Sequence, residues 1–459
     1  MARPKVFVAP TNNSSARDFF LLAQKMHESG HYQPFIVAGK KGIALLAAEQ
    51  VPDLTCLPMW ELAAIQSPLE KTSSVWLRRF GRKTLGPFYL EALYKKKKAL
   101  ASQLEIAEGF FRQHRPQALF VPADRYGSFE AVLIKLAKQY QCRVITIPYA
   151  ISSPESDAAN RYKGKNRALH LLNIRPQKLL KQWVKLRHPS QIRQTAYGPM
   201  VFYTPVDTLA LAHHGMLSPN PWIVGGGYSD ICGVMSQKDK DRLIAAGVRA
   251  EKIVILGQPS YDLLYQAQQE APARRQALAE QHHFDAQSPL ILLSVPQLME
   301  HGILPAEQHW QEIEFLVQTC CAAGSQVLLS LHPKSQAENY TYLEQQYPVK
   351  ILSEPLREVI PCCDVFLGLM SSSTIEWGVL LGLPTIAFDF YGLDDGQYQP
   401  MEGLVRVYEK AILASELQSL LHDPDRRQKI RQAHAQTCQK LGLGPLDGQS
   451  LHRVMALLA

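Results

Sequence analysis

Residues 364–392 read DVFLGLMSSSTIEWGVLLGLPTIAFDFYG and hold one full unit of the fold. Val365 to Leu369 is an unbroken apolar run, the pattern of a strand covered on both faces. Ser371-Ser372-Ser373-Thr374 follows as a hydroxyl-rich turn, the next residues to Gly382 carry helical spacing, and PTIAFDF is apolar again. Strand, turn, helix and strand in so short a stretch make a βαβ unit, which implies parallel strands with helices packed on the sheet.

The same rhythm extends both ways. Upstream stand PLILLSVPQ, a helical stretch over 308–322, QVLLSLHPKS and PVKIL; downstream RVYEKAI is followed by helical sequence to residue 458. The first half repeats the pattern with KVFVAP, a helix from Asp18 to Glu28 closed by Gly30, QPFIVAG, ALFVPAD, a helix from Phe129 to Tyr140, and CRVITIPYA. The expected architecture is α/β, two Rossmann-like doubly wound domains facing a cleft. Residues 1–220 form an acceptor-binding half, 221–410 a donor-binding half, and 411–459 are terminal helices that pack back on the first half.

A chain of 459 residues with 46% apolar and 20% charged residues has material for two sizeable cores. A formal charge of +8 suits anionic ligands without singling out nucleic acid, and no paired-cysteine zinc spacing or long basic tail is present. The eight cysteines, among them the adjacent pairs Cys320-Cys321 and Cys362-Cys363, read as buried reduced thiols. With no secretory leader and no apolar run long enough to span a bilayer, a cytoplasmic protein is expected. The region 76–98 mixes Lys and Arg with Trp76, Phe80, Phe88 and Tyr89. It is either a solvated helix face or a patch for docking on the inner face of the membrane.

In open parallel sheets, ligands bind at the carboxyl ends of the strands. Two such ends stand out in the second half. At the first, His332, Pro333 and Lys334 follow a strand, and an imidazole and an ammonium there suit a phosphate. At the second, Ser371, Ser372, Ser373 and Thr374 precede a helix, where hydroxyls and backbone N–H groups can converge on an anion. Glu376, in the first helical turn, either complements the helix dipole or accepts hydrogen bonds from ribose hydroxyls. In the first half, Asp124, Glu155 and Asp157 lie at strand ends and compete for the role of general base. His213-His214-Gly215 is either loop packing or cleft lining, and Gly225-Gly226-Gly227 lacks dinucleotide-loop spacing.

The alternation as a whole resembles GT-B glycosyltransferases. HHG at 213–215, VMS at 234–236 and GV-EKI-ILGQPSYD over 247–262 resemble surface-polysaccharide glycosyltransferases, and the wider group of CDP-glycerol glycerophosphotransferases and UDP-N-acetylglucosamine 2-epimerases. His332-Pro333 and the serines 371–373 resemble the His-Pro and Ser-Ser motifs of bacterial sialyltransferases and Kdo transferases. That resemblance implies an inverting, metal-independent transferase that moves a CMP-activated ulosonic acid onto a surface glycan or lipid-linked glycan. His332 and the serines would hold the CMP phosphate. The acidic-acidic-Gly motif that supplies the base in those families has no counterpart in the first half; Asp394-Asp395-Gly396 lies in the second. Two rivals stand beside this expectation. One is a UDP- or CDP-sugar transferase or a 2-epimerase-like enzyme, the other a non-catalytic glycan-binding subunit.

Overall fold

The computed structural model describes residues 3–11, 13–59, 87–125, 127, 129–149, 153–175, 177–332, 335–394 and 396–458. The chain forms two compact units: Met1–Met235 with Asp239–Pro259 and Leu451–Ala459, and Ser236–Lys238 with Ser260–Ser450.

The first unit is built on the parallel strands β1 (Lys5–Val8), β2 (Gln33–Ala38), β3 (Thr55–Pro58), β4 (Ala118–Val121) and β5 (Arg143–Thr146). A small antiparallel hairpin, β6 (Ile192–Thr195) and β7 (Gly198–Val201), stands apart, and β8 (Ile231–Val234) and β9 (Ile253–Ile255) complete the sheet. The 7-stranded order is β3-β2-β1-β4-β5-β8-β9. Its helices include α1 (Asn13–Glu28), α2 (Pro87–His114), α3 (Phe129–Gln139), α4 (Pro154–Lys163), α5 (Lys178–Arg187) and α6 (Pro205–His213).

Alternation along the strands feeds two cores. Val6, Val8, Ile36, Phe120 and Ile145 pack on Phe19, Ala23 and Met26 of α1. Their neighbours Phe7, Val37, Leu119, Val121 and Val144 pack on Leu100, Ala107 and Phe111 of α2 and on Val132 and Leu136 of α3. Each such side chain, fully withdrawn from water, contributes about 1.5–3 kcal/mol. This is why the strands read as continuous apolar runs rather than as alternating ones.

The second unit has the 6-stranded parallel order β12-β11-β10-β13-β14-β15. Its strands are β10 (Leu290–Ser294), β11 (Gln326–Ser330), β12 (Val349–Ile351), β13 (Val365–Leu369), β14 (Thr385–Phe388) and β15 (Val405–Val407). Around them lie α7 (Ala306–Ala322), α8 (Ile375–Leu380), α9 (Lys410–His422) and α10 (Pro424–Leu441). Ile291, Leu293 and Leu367 face α7 and α9, while Leu292, Phe366 and Ala387 face Ile375 and Val379 of α8. Gly378 lets α8 approach β14, because a Cβ there would lie 2.1 Å from the Thr385 hydroxyl.

The last helix, α11 (Ser450–Ala456), adds Leu451 and Val454 to the α1 face of the first unit. The division expected at residue 220 thus falls inside the first unit, because β8 and β9 extend its sheet; the chain crosses at Pro259–Ser260. Of the expected terminal block 411–459, α9 and α10 stay with the second unit and residues 451–459 join the first. All eight cysteines are free, and burial pushes the thiols of Cys142 and Cys232 up to about 12. Among the described residues, no helix is long and apolar enough to cross a membrane.

Candidate functional site

Strand order in each sheet reverses at one place, between β1 and β4 in the first unit and between β10 and β13 in the second. Crossovers on either side of such a point leave to opposite faces and open a crevice at the carboxyl ends of the two strands. The residues after β10, β13, β1 and β4 are therefore the ones to inspect.

In the second unit, β13 runs directly into the serine turn. The hydroxyls of Ser372 and Thr374 lie 2.7 Å apart, the Ser372 carbonyl accepts the Tyr398 hydroxyl at 2.8 Å, and Ser371 and Ser373 are exposed. This fixes the turn while leaving two hydroxyls open to solvent. Glu376 is buried and accepts a hydrogen bond from the Tyr261 hydroxyl at 3.2 Å. On the far side of β10, β11 ends at Ser330, and His332 follows it, exposed. Strands β11 and β13 each lie about 4.8 Å from β10, so the two loops start roughly 10 Å apart. Pro333 and Lys334 lie outside the described residues, as does Asp395.

A residue not singled out from the sequence sits between them. Gln297 follows β10 at the switch point, is only 6% exposed, and neither its amide nitrogen nor its amide oxygen has a hydrogen-bond partner among the described residues. A buried polar group without partners costs about 1–3 kcal/mol, which a bound ligand can recover.

In the first unit, the three carboxylates proposed as bases have different surroundings. Asp124 is fully enclosed. It accepts the backbone N–H groups of Gly225 at 2.9 Å, Gly227 at 3.0 Å and Ser229 at 3.2 Å, and the Ser229 hydroxyl at 2.6 Å. Lys252 adds its charge at 3.4 Å. The triple glycine is thus a clamp around this carboxylate. Asp157 bridges two guanidinium groups, Arg125 at 2.5 Å and Arg161 at 2.9 Å, and Arg161 stacks 3.7 Å from the centre of the Phe202 ring. Glu155, in the first turn of α4, is exposed and meets Arg193 at 3.1 Å. These bonds tie Asp124 and Asp157 to the surrounding structure, and Glu155 is open to solvent.

A carboxylate that is both enclosed and perturbed is Glu130, in the first turn of α3 after β4. It is 4% exposed, and burial raises its pKa to about 7, against a hydrogen bond with Thr11 and the charge of Lys40. Thr11 follows β1 and Lys40 follows β2, so Glu130 stands at the switch point of this sheet. A carboxyl group that titrates near neutrality can take and return a proton. The sequence offered one signal for it, an acid just after a strand-end loop, but that is equally the signature of an ordinary helix start.

His214 donates its Nε2–H to the Lys97 carbonyl, 3.0 Å away, while the Lys135 ammonium donates to the His214 carbonyl. It is a packing residue between α2 and α3. Asp394 binds the backbone N–H of Gly396 at 2.8 Å and the Tyr408 hydroxyl at 2.7 Å, closing its own loop. Among the described residues no group of three His, Cys, Asp or Glu side chains could hold a metal ion. Asp239 pairs with Arg242, and Asp423 caps α10.

Two doubly wound α/β units with candidate groups at their switch points define a GT-B-like architecture. Solved structures match it along the whole chain. UDP-GlcNAc 2-epimerase from Neisseria meningitidis, bound to UDP-GlcNAc, is 11% identical, with 99% of both chains covered and a TM-score of 0.55. A second UDP-N-acetylglucosamine 2-epimerase is 13% identical, covering 100% of this chain and 96% of that one, at 0.54. The glycosyltransferase SnogD from Streptomyces nogalater is 13% identical, with 100% of both covered, at 0.52. At such identities the likeness establishes the fold. No protein-family model matches the sequence, and no curated protein is similar to it.

These findings correct the expected kinship with CMP-sugar sialyltransferases and Kdo transferases, and with it the CMP-linked ulosonic-acid donor. The matched structures are UDP-sugar epimerases and glycosyltransferases. The physical reason is plain. A His-Pro pair and a run of serines at strand ends suit any phosphate, so such short motifs do not report which base or sugar is attached to it.

Proposed function

We propose that this chain is an enzyme acting on a UDP-linked sugar, and that it transfers the sugar to an acceptor hydroxyl. The second unit binds the nucleotide. Ser371, Ser373 and the backbone N–H groups of the turn take phosphate oxygens, Glu376 reads the ribose, and His332 meets the phosphates from β11. The observation that carries the reading is Gln297, a buried amide with unmet donor and acceptor at the β10–β13 switch point. An amide of that kind complements the adjacent acceptor and N–H of a uracil edge.

In the first unit, the group suited to accept a proton is Glu130. Transfer to a hydroxyl needs one base; epimerisation needs groups that both remove and return a proton on a single sugar. Asp124 and Asp157 are engaged in structural bonds, and Glu130 can serve as the single base that transfer needs. The 2-epimerase reading is favoured by the fold likeness.

Calorimetric titration with UDP and CMP tests the donor half. UDP should bind more tightly than CMP, and Gln297→Leu should weaken UDP about tenfold, one hydrogen-bonded contact's worth. Equal or stronger CMP binding would overturn the proposal. Incubation with UDP-GlcNAc alone then separates the two reactions: conversion to the 2-epimer without acceptor makes the chain an epimerase.

A further inference from the structure

Helix α5 reads KLLKQWVKLR, and its apolar residues are divided between two faces. Leu180 and Val184 pack inward with Leu93 of α2, Val201 of β7 and Leu209 of α6. Leu179, Trp183 and Leu186 do the opposite and are 72%, 45% and 79% exposed. Positions i, i+4 and i+7 share one stripe of a helix, so these three form a single apolar ridge on the outer surface.

The ridge cannot roll inward. On the buried side the Lys181 ammonium donates to the carbonyls of Ala168, Leu171 and Ile174, pinning the helix to the preceding loop. Exposed cations border the ridge, Lys178 and Lys185 on one flank and Arg187 on the other. No Asp or Glu occurs between Asp157 and Asp207, so no acidic neighbour in that stretch offsets them.

We propose that α5 is an in-plane membrane helix, seated in the headgroup layer of an anionic bilayer with Leu179, Trp183 and Leu186 among the acyl chains. A short helix with an apolar ridge, an amphipathic Trp and flanking Lys and Arg has the chemistry of an interfacial anchor. The cations rule for the lipid against a second copy, because two copies joined ridge to ridge would bring their basic flanks together. Nothing here depends on which nucleotide the second unit binds, and the site differs from region 76–98, of which residues 76–86 lie outside the described residues.

Flotation of the full chain with vesicles tests this. With equal parts phosphatidylglycerol and phosphatidylcholine the protein should float, weakly with phosphatidylcholine alone, and less as salt rises. Leu179→Ser with Leu186→Ser, and separately Lys185→Glu with Arg187→Glu, should each reduce partitioning about tenfold while circular dichroism stays unchanged. A wild-type chain that stays in solution with phosphatidylglycerol vesicles overturns the proposal. So do variants that float as well as wild type, and so does a lipid-free dimer in sedimentation that the serine variant dissociates.

Discussion

Gly227 lies against Asp124 so closely that a Cβ on it would stand 2.0 Å from the Asp124 carbonyl oxygen, and its own N–H reaches the Asp124 carboxylate at 3.0 Å. The strand-end loop after β4 and the glycine loop before β8 are therefore one piece of structure. Gly227→Ala should push them apart, and Asp124→Asn should leave backbone N–H groups facing an amide that can satisfy only some of them. We expect each to lower unfolding stability by about 3 kcal/mol in urea denaturation. An Asp124→Asn protein as stable as wild type but inactive would instead make Asp124 a chemical group.

Glu130 links chemistry to pH. Its pKa is about 7 in the fold against an ordinary 4.5. The fold thus favours the protonated form, and the stability this brings is complete below 4.5 and lost as pH rises through 7. Glu130→Gln should flatten that loss, so the variant gains on wild type in melting temperature from pH 5 to pH 8. Its turnover should fall by about 100-fold or more, and the limb of the activity profile near pH 7 should disappear. A variant that keeps the limb would show that another group carries it.

Lys181 holds three carbonyls at once. Lys181→Met keeps the length of the side chain and removes every donor, which should cost about 3 kcal/mol. Limited trypsin digestion should then cut sooner at Arg175, just past the released loop. Unchanged digestion would mean the loop is held by other contacts.

His434 sets the acid limit. It is fully buried in α10, and desolvation lowers its pKa from 6.5 to about 4. The unfolded chain binds the proton first, so the neutral imidazole contributes stability above 6.5 that is lost as pH falls toward 4. Over that window the loss approaches about 3 kcal/mol. His434→Leu should reduce the slope of melting temperature between pH 6.5 and pH 4; an unaltered slope would assign the acid sensitivity elsewhere.

The two sheets were legible because each strand is a short apolar run bounded by polar turns, and parallel strands buried on both faces leave that trace. The strand-end positions of the serine turn and His332 were legible for the same reason. What Asp124 does was not, since its partners lie some hundred residues further along the chain. Glu130 and Gln297 look ordinary in sequence, and only burial sets them apart. Core spacing alone does not separate the exposed ridge of Leu179, Trp183 and Leu186 from a buried stripe; the inward Lys181, held by carbonyls, does. Donor identity was illegible because a phosphate grip is indifferent to the base beyond it.

The return of α11 to the first unit has a consequence for biosynthesis. Leu451, Val454 and Leu458 close the core that Val6 and Phe19 begin. A ribosome therefore makes the second unit before the first can be sealed, and β1 and β2 must wait, incompletely covered, until Leu451 to Leu458 have been made. A protease that cuts within α11 would strike at the core of the first unit.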